Sequence, residues 1–175
     1  ATTDIVAAPL QFLLKHKPTL LVSFARSGDS PESIGAFDFA EQIIDEVYQI
    51  VITCNPKGAL AQRAAEKKEH TLNIYTPPQT NDLGFAMTSS FTSMLLSGLM
   101  LFDMKNFAAN RALVERIVDC TSKLLTEGQD VAAIGRAGFE RLVFLGTGSL
   151  QALAKETCLK VLELTAGKKV AVAES

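Results

Sequence analysis

A chain of 175 residues with 47% apolar and 21% charged residues has enough apolar mass for one or two cores and too few charges to stay unfolded. Its formal net charge of −2 comes from interspersed acids and bases, so no basic stripe is present to track a nucleic acid, and an anionic ligand must be held by local features. The longest apolar run, residues 94–102, falls well short of the ~18 residues of a membrane span, so neither nucleic acid nor membrane is expected as a partner.

Cys54, Cys120 and Cys158 show no metal-ligand spacing and read as buried thiols in a reducing compartment. With no signal-peptide pattern, a cytoplasmic location is expected. The chain has no initiator Met, and residues 168–175 read as a strand just reaching a loop. It is therefore expected to be a piece of a longer protein.

Taken in order, residues 19–25 (TLLVSFA) form a continuous apolar run after Pro18, which predicts a strand buried on both faces of a parallel sheet. Ser30 then offers an N-cap with Pro31 at the first helical position, and Ala36, Phe37, Ala40 and Ile43 give the following helix an apolar stripe. Residues 49–54 (QIVITC) predict a second strand, 55–58 (NPKG) a turn, 59–69 a short helix and 71–75 a weaker third strand. After a loop at 77–83, residues 89–103 are apolar nearly all round and predict a central packed helix. Residues 111–126 predict an amphipathic helix, and 128–138 a linker or short helix. The pattern then restarts with a strand at 141–145, a Gly/Thr/Gly/Ser turn at 146–149, a helix at 150–164 and a strand at 169–173. Strands alternating with helices imply an α/β fold with a parallel sheet, and the restart implies an internal duplication.

Three segments carry chemistry. In the first, 23–33 (SFARSGDSPES), a strand ends, Gly28 permits a tight turn and a helix begins. A helix N-terminus presents unpaired N–H groups and favours an anion, and Ser27 and Ser30 add hydroxyls beside it, so a phosphate monoester fits without any lysine. The competing reading is that Ser27, Ser30 and Ser33 only cap the helix. Arg26 would add a charged contact to the same anion or form a surface salt bridge, the latter being favoured. In the second segment, 84–93 (GFAMTSSFTS), Thr88 or Ser89 would cap an apolar helix and leave neighbouring hydroxyls free, or all would bond locally to backbone. In the third, Glu156, Lys160 and Glu163 share one face of the last helix. A carboxylate in that apolar setting suits a general base, although a solvated stripe with a Glu156–Lys160 pair is the simpler reading. Residues 146–148 (GTG) lack the third glycine of a dinucleotide fingerprint, since Gln151 stands in its place. His16 and His70 sit in polar, Lys-rich surroundings and read as surface residues with no metal or triad partner.

These residues resemble a known family. Residues 23–33 are similar to the Ser-x-Ser-Gly-x-Thr phosphate turn of sugar isomerase (SIS) domains, and 85–92 (FAMTSSFT) to the second hydroxyl-rich segment of that pocket. Residues 145–151 with 154–168 resemble the opening of a second SIS domain, so the likeness spans nearly the whole chain. It is nearest the AgaS-type subgroup, which includes proteins called tagatose-6-phosphate ketose/aldose isomerases or galactosamine-6-phosphate deaminase/isomerases.

The resemblance implies a three-layer αβα sandwich repeated in tandem, with residues 1–138 in a first, N-terminally incomplete SIS domain and 139–175 opening a second. It implies a homodimer or higher oligomer, no metal or other cofactor, and an enzyme acting on a sugar 6-phosphate. By position, Ser27, Gly28, Ser30, Thr88 and Ser89 would hold the phosphate, with Arg26 beside them. Glu163 matches the catalytic carboxylate of the glucosamine-6-phosphate synthase isomerase domain, and Glu156 a nearby family acid. The chain departs from the pattern with Ala25 where the family usually has Ser, and Ser30 where it often has Thr. The family's first strand is expected upstream of Ala1 and its Arg-His-Gly-Pro segment beyond Ser175, so this piece is expected to be inactive alone. The alternatives are a sugar-phosphate-sensing module of a regulator, a related deglycase, and a purely structural domain.

Overall fold

Pro18 disfavours helix at the residue before it and delivers an extended chain. β1 (Thr19–Ala25) begins at once, with the Thr19 N–H donating to the Glu46 carbonyl at 3.0 Å. The computed structural model describes residues 2–175, and for residues 129–131 the backbone alone. The chain divides into two units, Ala1–Phe107 and Ala108–Ser175.

In the first unit β1 pairs with β2 (Val47–Thr53), and β2 with β3 (Thr71–Tyr75), all parallel, giving the order β1-β2-β3. Each crossover is a helix: α3 (Pro31–Ile43) between β1 and β2, and α4 (Ala59–Glu66) between β2 and β3. Ser30 caps α3 from an extended backbone, accepting from the Ser33 N–H, with Pro31 at the start of the helix as expected. Ala25 and Val51 of the sheet meet Phe37 of α3 and Leu60 and Ala64 of α4 in one buried cluster. Burying side chains as large as Phe37 and Leu60 is worth about 1.5–3 kcal/mol each. Two short N-terminal helices, α1 (Thr2–Ala7) and α2 (Pro9–Phe12), precede the sheet. Leu13, which follows them, packs with Ala40 and Ile44 against Ile5, Leu21 and Val47.

The next helix, α5 (Ser89–Phe102), lies on the opposite face of the sheet, where Gly98 stands against Phe24 and Ile52. Helices therefore flank the parallel sheet on both sides, the three-layer arrangement expected. The coverage is incomplete. Leu20 and Phe24 remain 48% and 49% exposed, so β1 is sealed on the α3 face and half open on the other, not buried on both. Nor is α5 a packed central helix. Only Ser90 and Gly98 are buried, and Leu99 and Phe102 are each 62% exposed. One face of a helix reaches the sheet, and an all-round apolar composition does not supply neighbours for the others.

The second unit holds α6 (Phe107–Thr126), which starts at the boundary, α7 (Gln129–Arg136), and a parallel pair, β4 (Arg141–Leu145) and β5 (Val170–Glu174), joined through α8 (Ser149–Leu164). The β4-α8-β5 order repeats β1-α3-β2. The residues offered as linker or short helix thus contain α7. The second strand starts two residues earlier than expected, because Val47 joins the ladder opposite Thr19. The helix after Gly58 stops at Glu66, short of Glu69.

Of the cysteines, Cys54 is buried, Cys158 intermediate and Cys120 exposed on α6, which corrects the expectation of three buried thiols. Both histidines have carboxylate partners. His16 Nδ1 stands 2.7 Å from Asp45 Oδ2 on the surface, and His70 Nε2 stands 3.1 Å from Glu41 Oε2 in a partly buried position. Lys-rich sequence neighbours did not report these carboxylates, which come from a distant turn and from α3. No helix among the described residues is long and apolar enough to cross a membrane.

Candidate functional site: the turns at the carboxyl ends of the first sheet

Parallel strands all deliver their connecting turns to one edge of the sheet, where ligands of open α/β folds bind. Three helix N-termini follow these turns in the first unit, and the sequence fills them differently.

The β1–α3 turn runs through Ser27, Gly28 and Asp29. Gly28 has φ +72°, a left-handed conformation that glycine adopts without strain. Ser27 Oγ accepts from the Asp29 N–H at 3.3 Å, and Asn55 Nδ2 donates to the Ser27 carbonyl at 2.9 Å. Ser30 Oγ accepts from the Ser33 N–H at 3.3 Å and donates to Ser33 Oγ at 2.9 Å. Pro31 carries no N–H. The N–H groups of Gly28 and Ser30 have no intramolecular partner among the described residues. Ser30 is exposed and Ser27 partly so, which leaves the Ser30 N–H and the Ser27 hydroxyl proton accessible to an oxyanion, while Gly28 itself is buried.

The β2–α4 turn is pressed against the first. Gly28 accepts from the Leu60 N–H at 2.9 Å, and Thr53 Oγ1 donates to the Arg26 carbonyl at 3.3 Å. The N-terminus of α4 is occupied from within the protein, because Asp29 Oδ1 accepts from the Ala59 N–H at 2.9 Å.

The N-terminus of α5 is occupied more completely. Asp82 Oδ2 accepts from the N–H groups of Thr88 and Ser90, both at 2.8 Å, and from Ser90 Oγ at 2.7 Å, while Ser89 Oγ donates to Asp82 Oδ1. The hydrogen bonds from Ser89 and Ser90, with a smaller one from Thr88, hold the Asp82 carboxyl well below the usual carboxylate range against the opposing effect of burial. Thr88 makes no side-chain cap of its own, which corrects the expectation that Thr88 or Ser89 caps the helix. Its hydroxyl is exposed and has no partner among the described residues. Ser89, by contrast, has committed its only hydroxyl proton to Asp82.

Arg26 joins two of these loops. Its Nη1 donates to the Asp82 carbonyl at 2.9 Å and to Asn81 Oδ1 at 3.3 Å. These are hydrogen bonds to neutral oxygens, in place of the expected surface salt bridge.

In the second unit Lys160 Nζ lies 2.6 Å from Glu163 Oε2 and 3.4 Å from Glu156 Oε1. All three side chains are partly exposed, and the hydrogen bond to Glu163 raises the Lys160 pKa above its ordinary value despite desolvation. The expected Glu156–Lys160 pair is present, but the shorter contact is to Glu163. The structure thus brings Glu156, Lys160 and Glu163 together on α8, and brings Arg26, Ser27, Gly28 and Ser30 together at the β1–α3 turn.

Sequence reasoning passed over Asp29, Asn55 and Asp82. Asp29 and Asn55 form bonds across about thirty residues of chain, which no local spacing announces. Asp82 stands six to eight residues before its donors, beyond the two- or three-residue reach of ordinary side-chain caps.

No family model matches the chain. D-galactosamine-6-phosphate deaminase AgaS of Shewanella sp. strain ANA-3 is 44% identical over 176 aligned positions that span 100% of this chain and 44% of that protein. The protein of the same name from Escherichia coli O157:H7 is 43% identical over 176 residues, covering 99% of this chain and 45% of the relative. The crystal structure of tagatose-6-phosphate ketose/aldose isomerase from Escherichia coli superposes with a TM-score of 0.91 at 42% identity, over 98% of this chain and 46% of that one. With the parallel sheet, flanking helices and serine-rich turn, these likenesses show the fold of sugar isomerase (SIS) domains and a resemblance to AgaS-type proteins. The chain spans about half the length of the curated relatives it matches.

Proposed function

We propose that the protein containing this chain is a cytoplasmic sugar-phosphate isomerase/deaminase that converts galactosamine 6-phosphate and water to tagatose 6-phosphate and ammonia. The observation that carries the reading is the contrast among helix N-termini. Those of α4 and α5 hold the protein's own carboxylates, while in the Ser27–Ser33 turn the Ser30 N–H and the Ser27 hydroxyl proton have no partner among the described residues. The names of the AgaS relatives supply the substrate class.

In this reading the phosphate binds at Ser27, Gly28 and Ser30, and that remote binding energy holds the open-chain sugar for reaction. Arg26 sets the neighbouring loop, and the free hydroxyl of Thr88, beside Ser89, is the contact of the second segment. Proton transfer is assigned to Glu163. It removes the C2 proton to give an enolamine, and a proton delivered to C1 leaves an iminium at C2. Water adds there and ammonia departs, leaving the C2 ketone. Lys160 Nζ holds the Glu163 carboxyl group in place at 2.6 Å, and Glu156 shares the same ammonium. No step uses a metal or nicotinamide. The tandem SIS arrangement, residues 1–138 and 139–175, and a homo-oligomer belong to the same proposal.

The test is ammonia release from galactosamine 6-phosphate by the full-length protein. Glu163→Gln is expected to lower kcat by roughly 10²–10⁴, the usual worth of a general base, with KM little changed. Wild-type kcat in Glu163→Gln removes that assignment. Phosphate-dependent binding without turnover by the intact protein favours a sensing module instead.

A further inference from the structure

The tight occupation of the α5 N-terminus has a consequence for ligand choice. Four donors converge on one carboxylate: the Thr88 and Ser90 N–H groups and the Ser89 and Ser90 hydroxyls. Two backbone N–H groups and two serine hydroxyls are also what a phosphate would seek at a helix start. Ser90 is 1% exposed, so neither its N–H nor its hydroxyl has water to fall back on if the carboxylate leaves. From the other side, Arg26 holds the Asp82 carbonyl and Asn81, which restrains the loop that carries the carboxylate.

We propose that Asp82 is an anion-steering residue: its carboxylate is a resident anion that closes the N-terminus of α5 and directs an incoming phosphate to the Ser27–Ser33 turn. The proposal deepens the reading of that turn as the phosphate site and rests on it. It separates the two hydroxyl-rich segments chemically. The first keeps the Ser30 N–H and the Ser27 hydroxyl proton for a dianion, its own Asp29 carboxylate being turned to the Ala59 N–H of α4. The second presents a fixed negative charge and the neutral, unpartnered Thr88 hydroxyl, a surface suited to uncharged hydroxyl groups of a sugar and hostile to a second phosphate. Ser89 and Ser90 act through Asp82 and do not touch the ligand phosphate.

The experiment is an amide-resolved NMR titration of the full-length protein with inorganic phosphate. Wild type is compared with Asp82→Asn and Asp82→Ser, two neutral side chains that still cap helices. In wild type, amides of residues 27–33 are expected to shift and those of 88–90 to stay silent. In the variants, residues 88–90 are expected to respond, with a Kd roughly two- to fivefold below any wild-type response there, the scale of removing one charge at a helix N-terminus. Carbon shifts along α5 verify that its first turn remains helical in at least one variant.

The proposal is overturned if wild-type residues 88–90 saturate at the same phosphate concentration as 27–33. It is also overturned if a variant with an intact α5 stays silent at 88–90. Silence at 27–33 in wild type would instead remove the phosphate reading of the first turn, while the α5 amides still decide the role of Asp82.

Discussion

A Cβ placed on Gly58 would stand 2.2 Å from the Ser27 carbonyl oxygen, closer than any real Cβ contact. The β1–α3 and β2–α4 turns are pressed together at this point, so the shape of the proposed phosphate turn depends on a glycine in its neighbour. The obstacle is backbone and cannot rotate away. Gly58→Ala is therefore expected to destabilise the first unit by about 1–3 kcal/mol, the cost of overpacking a close contact. It should also shift the amides of residues 27–30 in a spectrum of the folded protein. Thermal melting with an unchanged midpoint would show that the turns can separate freely.

Ser27 and Ser30 do different work and can be told apart. Ser30 caps α3, so Ser30→Ala is expected to lower stability by about 1 kcal/mol. Among the described residues Ser27 Oγ meets only the Asp29 N–H, in a long bond, so Ser27→Ala is expected to change stability by less than about 0.5 kcal/mol. Both variants should weaken phosphate binding, measured by ligand-induced thermal stabilisation. Loss of binding in Ser30→Ala alone would assign the anion to the cap and not to the turn.

Asp82 predicts a particular pH dependence. Its folded-state pKa is depressed, so its contribution is fully present above the unfolded carboxyl value and is lost as pH falls below it toward the folded value. At neutral pH wild type should melt above Asp82→Asn. The difference should begin to shrink below about pH 4, the ordinary range of an aspartate. A difference that stays constant from pH 7 to pH 2.5 would show that the charge of Asp82 is not what holds the α5 N-terminus.

The cysteines predict a reactivity order. Cys120 is exposed on α6, while Cys54 is 2% exposed at the end of β2. A thiol reagent added to the native protein is expected to modify Cys120 first, Cys158 more slowly and Cys54 only at the rate of unfolding. Rapid labelling of Cys54 in the native protein would mean that the edge carrying the three turns opens readily.

Much of the fold was legible because the signals were local. Pro18 before an apolar run marked β1, and Ser30 with Pro31 marked the start of α3. The Gly-Thr-Gly-Ser turn marked the repeat of strand, turn and helix at β4 and α8. The Ser27–Ser33 turn was legible for the same reason, since capping hydroxyls and a glycine must sit within a few residues of the helix they start. Burial was misjudged where it depended on neighbours. The apolar character of β1 and α5 was plain, but Phe24 and Leu99 remain 49% and 62% exposed, because packing is set by what lies opposite.

What the sequence by itself determined is the alternation of strands and helices, the glycine and serine turns, and the carboxylate–ammonium–carboxylate face of Glu156, Lys160 and Glu163. Each follows from chain geometry over a few residues, 3.6 per helical turn or 2 per strand repeat. Only the tertiary structure decided which helix N-termini remain open to an anion. Asp29 reaches α4 across thirty residues, and Asp82 reaches α5 from a loop held by Arg26. A carboxylate satisfies whichever donors the fold places within hydrogen-bond reach, and that distance is fixed by the packing of β1, β2 and their turns, not by separation along the chain.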